Sequence, residues 1–213
     1  MIVLPVINCP DFECAKGRLG AAKTFLKKGG WVHLDVADGR FTSGKTWKNP
    51  SEWANLRPEF NLEVHLMVEE PERYIDPWIA AGARGFVVHA ETLTEETARA
   101  IVARAARRGI EVMLSSNPMT TTQELWPFLK FFSHFQVLAV DPGPSGQKFV
   151  PTVLQKIRFL RNFAPNAKIE VDGGITPEIA REVKKAGANA IVSASYIFNG
   201  ENPRKAYEEL KRL

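Results

Sequence analysis

Residues 31–41 read Trp31-Val32-His33-Leu34-Asp35-Val36-Ala37-Asp38-Gly39-Arg40-Phe41, and this stretch decides the fold. Its apolar residues predict a buried strand that ends at the glycine. Alternate side chains leave the same face of a strand, so His33 and Asp35 point in the same direction. Imidazole and carboxylate groups cost free energy when they are buried without partners. The pair therefore indicates a metal site or an acid/base pair at a strand end.

Three further stretches have the same form, an apolar strand that runs into a turn and carries polar side chains. They are Glu63-Val64-His65-Leu66-Met67, Ala139-Val140-Asp141-Pro142-Gly143 and Ile169-Glu170-Val171-Asp172-Gly173-Gly174. Their histidine and aspartates are candidates to complete the site. Glu170 shares the parity of Asp172, so we expect it to point inward, where a nearby lysine, for example Lys168, is a candidate partner.

The composition is that of an ordinary globular protein. The 213 residues are 45% hydrophobic and 24% charged, and no apolar run approaches the ~18 residues that span a bilayer. The net charge is +4, but no basic cluster predicts nucleic-acid binding. We therefore expect a cytoplasmic protein with neither a membrane nor a nucleic-acid partner. Cys9 and Cys14 form no disulfide framework, so we expect reduced thiols.

Short β-rich apolar runs alternate with longer amphipathic runs, which is typical of βα units around a parallel sheet. The predicted strands are residues 2–7, 31–35, 61–67, 85–89, 110–114, 134–140, 168–172 and 190–194. The predicted helices are residues 14–28, 51–56, 71–82, 94–108, 121–130, 151–163, 176–186 and 203–212. Thr94 before two glutamates, and Thr176 before Pro177, mark two helix starts.

Eight βα pairs predict a (β/α)8 TIM barrel that forms a single domain over residues 1–213. A doubly wound open sheet is the alternative, because the strand pattern cannot show whether the eighth strand closes on the first. Such sheets usually carry a Gly-rich loop after the first strand, whereas Ile7-Asn8-Cys9-Pro10-Asp11 follows it here. In a barrel the chemistry lies at the C-terminal strand ends, where the polar residues described above are found.

Five motifs follow one another at these strand ends. They are His33-Leu34-Asp35-Val36-Ala37-Asp38-Gly39, Val64-His65-Leu66-Met67-Val68, His89-Ala90-Glu91, Asp141-Pro142-Gly143-Pro144-Ser145-Gly146-Gln147-Lys148-Phe149 and Glu170-Val171-Asp172-Gly173-Gly174. Together they resemble the ribulose-phosphate 3-epimerase family. The resemblance continues to residues 192–198 and covers nearly the whole chain.

The resemblance implies one divalent metal ion, held by His33, Asp35, His65 and Asp172. Two imidazoles and two carboxylates suit Zn²⁺, our first expectation, and also Fe²⁺, Mn²⁺ or Co²⁺. The resemblance further implies that the two aspartates invert C3 of D-ribulose 5-phosphate through a metal-stabilised enediolate. Asp35 is then the base toward this substrate and Asp172 the acid. A homo-oligomeric assembly is also implied.

Glycine-rich turns after strands six to eight are expected to bind the substrate phosphate through backbone N–H groups. Residues 195–198 are expected to form a short extra helix there, and loop 141–150 to close over the substrate. The expected substrate-binding residues are Val6, His65, Met67, Leu138, Gly143, Pro144, Ser145, Gly146, Gly173, Gly174, Ala194 and Ser195. His89 and Glu91 match a family motif but not a ligand position, so we expect a supporting role.

The pocket wall departs from the family pattern. The family usually has a substrate-binding Ser at Val6, Met at Ala37 and often at Leu138, Phe-Gly at residues 144–145 and Gly at Ala194. An epimerase for a related ketose phosphate, such as a 6-phosphohexulose, therefore stays open, as does a catalytically inactive phosphosugar-binding barrel. A decarboxylase or aldolase is disfavoured, because such relatives carry a Lys where Ala37 stands.

Overall fold

The computed structural model describes residues 1–56 and 58–213. Its strands are β1 (Ile2–Ile7), β2 (Trp31–Ala37), β3 (Asn61–Met67), β4 (Ala83–His89), β5 (Glu111–Ser115), β6 (Phe135–Leu138), β7 (Ile169–Asp172) and β8 (Ala190–Ser193). Each strand pairs in parallel with the next, and β8 pairs with β1, which closes the ring. The closed ring confirms the predicted (β/α)8 barrel and excludes the open sheet.

Helices follow the strands and cover the outside of the barrel. They are α1 (Phe12–Ala22), α2 (Pro50–Leu56), α3 (Glu72–Ala80), α4 (Glu95–Ala106), α5 (Thr122–Leu125), α6 (Val153–Phe163), α7 (Pro177–Ala186), α8 (Ser195–Phe198) and α9 (Pro203–Lys211). Thr94 caps α4, and Thr176 caps α7 with Pro177 in its first turn, as predicted. Of the described residues, no helix is long and apolar enough to cross a membrane.

Two predicted helices are too long at their C-terminal ends. Helix α1 ends at Ala22 rather than at residue 28. Some of the N–H groups that follow donate to carbonyl oxygens three residues back instead of four, which gives tighter turns than an α-helix. Helix α5 ends at Leu125 rather than at residue 130, because Pro127 has no N–H to continue the helical pattern. The predicted strand 134–140 is also shorter, since the Ala139 carbonyl accepts from Val150 N–H in the following loop.

The main apolar core lies between the barrel and its helices, where strand residues such as Ile7 and Val64 are buried. The barrel interior is different. Leu4, Val6 and Val192 form a separate, small apolar cluster, and histidine and glutamate side chains are also buried. Because buried charged groups need partners, this interior must be a network of paired polar groups.

Cys9 and Cys14 are joined by a disulfide, so the expectation of reduced thiols is wrong. Cys9 follows β1, and Cys14 lies in the first turn of α1, which Asp11 caps by accepting from Cys14 N–H. This turn brings the two Cα atoms to 5.6 Å, within the distance that a disulfide spans. Cysteine count and spacing alone do not reveal the turn.

Candidate active site

Strands β2, β3 and β7 bring the four predicted metal ligands together at the C-terminal end of the barrel. His33, Asp35, His65 and Asp172 each offer a ligand atom, and these atoms lie within 4.8 Å of one another. Asp35 is the register partner of His65. His65 Nδ1 lies 3.1 Å from Asp35 Oδ1 and 3.4 Å from Asp172 Oδ2. We call these four residues the upper cluster.

The carboxylates of the upper cluster favour positive charge at its centre. Burial alone lowers the pKa of His33, but the neighbouring Asp35 and Glu63 outweigh it and raise that pKa well above its usual value. The pKa of His65 is also raised against burial, by Asp172 and Asp35. In turn, burial favours protonated Asp35, but the two imidazoles lower its pKa far below the usual range. A cation site needs this charge balance.

Each imidazole turns one ring nitrogen to the centre and holds the other in an outer contact. His33 Nδ1 lies 2.9 Å from Glu63 Oε1, so in the neutral ring, the form that binds a metal ion, a proton on Nδ1 leaves Nε2 as an acceptor. This buried Nε2 has no hydrogen-bond partner among the described residues. His65 Nε2 lies 2.8 Å from His89 Nε2, which leaves Nδ1 for the centre. Metal-ligating histidines are held in this way, so the donor set fits a divalent ion.

His89 and Glu91 extend the contacts of His65 away from the centre. Burial lowers the pKa of His89 and outweighs its hydrogen bond to Glu91, so a neutral His89 accepts from His65 and donates through Nδ1 to Glu91 Oε2 at 3.2 Å. Burial raises the pKa of Glu91, but His89, Thr120 and the backbone N–H of Asn117 outweigh it and lower that pKa to about 2. These contacts match the supporting role expected for both residues.

A second group of charges lies deeper in the barrel, and we call Glu63, Lys168 and Glu170 the lower cluster. Lys168 Nζ lies 2.9 Å from Glu63 Oε2 and 3.0 Å from Glu170 Oε2, as expected for Lys168 and Glu170. Gln136 also donates to Glu170 Oε1. Together with His33, the two glutamates could also hold a metal ion by distance. The Lys168 ammonium already supplies the cation there.

A cleft of about 470 Å³ opens above the upper cluster, between the loops that follow β6, β7 and β8. Asp35 and Asp172 form part of its wall. The predicted substrate-binding residues that line it are Met67, Leu138, Gly143, Pro144, Ser145, Gly146, Gly173, Gly174, Ala194 and Ser195. The other two lie deeper, since His65 is fully buried and Val6 packs in the apolar cluster of the barrel.

Sequence comparisons identify the family of the chain. The profile of the ribulose-phosphate 3 epimerase family matches residues 5–198. The ribulose-phosphate 3-epimerase of Schizosaccharomyces pombe is 34% identical, over 98% of this chain and 92% of that protein. The ribulose-phosphate 3-epimerase of Synechocystis sp. is 36% identical, over 97% and 91%. This chain belongs to the ribulose-phosphate 3-epimerase family.

Membership of the ribulose-phosphate 3-epimerase family identifies the chain as an epimerase enzyme. Among solved structures, the 3-hexulose-6-phosphate synthase of Salmonella typhimurium is similar, with a TM-score of 0.75 and 13% identity. The match covers 100% of this chain and 97% of that one. At this identity the likeness concerns the fold alone.

In this epimerase the turn after β7 requires glycine at two positions. Gly173 and Gly174 have φ of +103° and +65°, which L-residues with side chains rarely adopt. A Cβ at 173 would lie 2.5 Å from Val140 Cγ2, and a Cβ at 174 would lie 2.5 Å from the backbone nitrogen of Phe149. The turn therefore packs directly against loop 141–150, which forms another wall of the cleft.

Several residues that line the cleft of the epimerase were not predicted from the sequence, and Asn8 has the most informative contacts among them. Asn8 Nδ2 donates to Asp35 Oδ2 at 2.8 Å and to Gly143 O at 3.3 Å. A usable signal was present, because Asn8 lies two residues after Val6 and just beyond the C-terminal end of β1. The other missed lining residues are Val140, Gln147, Ile175, Val192 and Ser193.

Proposed function

We propose that this epimerase inverts C3 of D-ribulose 5-phosphate to give D-xylulose 5-phosphate, with one divalent metal ion and with Asp35 and Asp172 as the acid/base pair. One observation carries the proposal. Two carboxylates from different strands, β2 and β7, border one cleft and both approach His65 Nδ1, at 3.1 Å and 3.4 Å. The pair of carboxylates, rather than either alone, is what an inversion requires.

Inversion next to a carbonyl removes a proton from one face of the carbon and returns a proton to the other. In the proposed direction ionised Asp35 accepts the C3 proton, and protonated Asp172 donates a proton to the opposite face. The intermediate between these steps is an enediolate. After turnover Asp35 is protonated and Asp172 is ionised, so one proton exchange restores the starting state. A positioned acid or base contributes typically about 10²–10⁴-fold to the rate.

The upper cluster would hold the metal ion, with Zn²⁺ as the first candidate and Fe²⁺, Mn²⁺ or Co²⁺ as alternatives with the same donor preference. When bound, such an ion supplies a Lewis acid for the negative charge that develops on the C2 oxygen. Glu63 and His89 hold the outer nitrogens of the two imidazoles. Leu138 and Val192 form an apolar part of the cleft wall, which would exclude water from the reacting groups.

Backbone N–H groups after β6, β7 and β8 are proposed to bind the substrate phosphate. The segments 143–146, 173–174 and 194–195 all line the cleft, and α8 begins at Ser195, as the sequence analysis expected. In barrels of this type phosphate commonly binds at these loops. Closure of loop 141–150 over the substrate is part of the proposal, and protection of this loop from limited proteolysis by substrate tests it.

A coupled assay tests the main proposal. Metal-loaded protein is given D-ribulose 5-phosphate, and D-xylulose 5-phosphate is measured as the product. We expect turnover in the native chain and its loss in Asp35→Asn, which keeps the shape of the side chain but removes the base. Absence of turnover in metal-replete, folded protein would contradict the proposal.

A related ketose phosphate is a second candidate substrate, favoured by the cleft wall. Pro144 and Ala194 line the cleft. Val6 is buried in the apolar cluster of the barrel, and as a valine it offers the substrate no hydroxyl group. A panel of ketose phosphates that includes a 6-phosphohexulose separates the candidates by kcat/KM. A catalytically inactive sugar-phosphate binder would show binding without turnover of any member of the panel.

The proposal also includes a homo-oligomer in the cytoplasm, which the family resemblance and the composition lead us to expect. Light scattering of the purified protein measures the assembly. The disulfide between Cys9 and Cys14 is more usual in oxidising compartments. Thiol alkylation followed by mass spectrometry of the protein from its own cells therefore tests the compartment independently of activity.

A further inference from the structure

Asn8 makes two contacts that join different parts of the active site. Its side-chain nitrogen donates to Asp35 Oδ2 on β2 and to the Gly143 carbonyl in loop 141–150. Both partners are acceptors, so the amide must present its NH₂ group rather than its oxygen to them. Asn8 also lines the cleft, and its contacts therefore lie within reach of a bound substrate.

The two oxygens of Asp35 face different surroundings. Oδ1 lies 3.1 Å from His65 Nδ1 and 3.3 Å from His33 Nε2, on the side of the upper cluster. Oδ2 accepts from Asn8. A carboxylate oxygen has two lone pairs, so Oδ2 keeps one of them available after it has accepted from Asn8. The hydrogen bond thus fixes the rotation of the carboxylate and leaves Oδ2 as the oxygen for a substrate proton.

Asp172 is held differently from Asp35. Among the described residues no side-chain amide donates to Asp172, whose Oδ2 approaches His65 Nδ1 at 3.4 Å. The side chain of Asp172 is also more exposed than that of Asp35, 14% against 7%. The two proposed proton-transfer groups are therefore held differently, and only one of them depends on Asn8.

We propose that Asn8 is a positioning residue that holds Asp35 Oδ2 toward C3 of the substrate and links this carboxylate to loop 141–150. The inference rests on the proposed function and goes beyond it, since it assigns the alignment of one proton transfer to a residue outside the upper cluster. Loss of Asn8 then slows the transfer made by Asp35 and leaves the transfer made by Asp172 unchanged.

Deuterium at C3 separates the two transfers. Asn8→Ala removes both hydrogen bonds without adding bulk, and we expect kcat to fall about tenfold, as for the loss of one hydrogen bond to a charged group. With D-[3-²H]ribulose 5-phosphate as the substrate, the isotope effect on kcat/KM should rise, because Asp35 removes the deuteron and this step becomes slower. With D-[3-²H]xylulose 5-phosphate as the substrate, the isotope effect should fall toward unity. In this direction Asp172 removes the deuteron first, and the slowed transfer by Asp35 limits the rate after that step.

The control and a second variant make the result specific. Asn61→Ala removes another amide–carbonyl hydrogen bond, to Gly29 O at the opposite end of the barrel, and should leave both isotope effects unchanged. Asn8→Leu fills the space of the native side chain and should reproduce the pattern of Asn8→Ala. Equal changes from the two epimers, unchanged isotope effects, or an effect on KM alone would overturn the inference.

A structural measurement keeps the role of Asn8 distinct from the proposed function. In a crystal structure of Asn8→Ala, or of Asn8→Leu, the Asp35 carboxylate should rotate away from its native orientation while the four residues of the upper cluster stay together. An unmoved carboxylate overturns the role of Asn8. Absence of epimerase turnover in the native chain instead contradicts the proposed function and leaves this structural test in force.

Discussion

The upper and lower clusters each contain two carboxylates, but they differ in the groups that face these carboxylates. In the lower cluster two buried glutamates share the ammonium of Lys168. In the upper cluster, among the described residues, no lysine or arginine pairs with Asp35 or Asp172, and the carboxylates border an open cleft. His33 contacts both clusters. The difference teaches that buried carboxylates serve structure where the chain supplies the cation, and are available for chemistry where it does not.

Strand β7 offers a matched pair of substitutions that tests this contrast, because Glu170 and Asp172 belong to different clusters. We expect Asp172→Asn to lower kcat of the epimerase reaction by about 10³-fold, since it removes one of the two proposed proton-transfer groups. Glu170→Gln should keep kcat within about tenfold of the native value, because it leaves both proposed proton-transfer groups in place and changes a carboxylate that reaches the upper cluster only through His33, at 3.8 Å. Steady-state kinetics with D-ribulose 5-phosphate measures both. Equal losses in the two variants would mean that the clusters do not divide the work in this way.

Lys168 should matter for stability more than for catalysis. Lys168→Met leaves two buried carboxylates without their cation, and we expect it to lower the free energy of unfolding by about 3–5 kcal/mol. Urea denaturation measures the change. Lys185→Met, on the exposed face of α7, is the matched control and should change stability by less than about 0.5 kcal/mol. Adding Glu170→Gln to Lys168→Met should recover part of the loss, and no recovery would argue against charge as its cause.

The upper cluster should bind one divalent ion per chain, whereas the lower cluster should bind none. Zn²⁺ at about 100 times its Kd should raise the free energy of unfolding by about 2.7 kcal/mol. Chelation followed by metal analysis and thermal unfolding checks this, together with the reversible loss of turnover. Asp172→Asn should lose the ion and Glu170→Gln should keep it. Retention of a full equivalent of metal by Asp172→Asn would contradict the ligand assignment.

The smallest effect is a pH dependence of stability that arises in the lower cluster. Burial raises the pKa of Glu63, but His33 and Lys168 outweigh it and lower the pKa to about 2, from the usual 4.5. The unfolded chain therefore binds more protons, and this contribution is present above pH 4.5 and lost as the pH falls toward 2. Between pH 6 and pH 3 the stability difference between the native chain and Glu63→Gln should shrink by about 2 kcal/mol. A constant difference in denaturation experiments would show that Glu63 does not contribute in this way.

The sequence predicted the barrel and the orientation of the strand side chains from local patterns, whereas the four members of the upper cluster were named from the family resemblance. Alternating apolar runs located the eight strands, and the period of two placed His33 and Asp35 on one face. The same parity pointed Glu170 inward, and Lys168 was one candidate for its partner. These inferences need only the direction of a side chain from its strand, which the sequence specifies.

The sequence did not predict features that depend on how turns and loops fold back. The hydrogen bond from Asn8 to Asp35 joins residues 27 positions apart, and its existence depends on the conformation just after β1. The disulfide depends on the turn capped by Asp11. Lys168 and Glu63 are 105 positions apart, so their ion pair appears only when the strands close into a ring. In each case local pattern leaves the relative position of two segments undetermined.

The close packing of Gly173 and Gly174 against Val140 and Phe149 limits how the enzyme can be engineered. Any library built to change the sugar preference of this enzyme should keep both codons fixed, since every other residue there would collide with Val140 or with the backbone of Phe149. Randomisation belongs instead at Leu138, Val192 and Ala194, which border the same cleft at the C-terminal ends of β6 and β8. The positions that tolerate diversity and those that forbid it thus lie side by side in one wall.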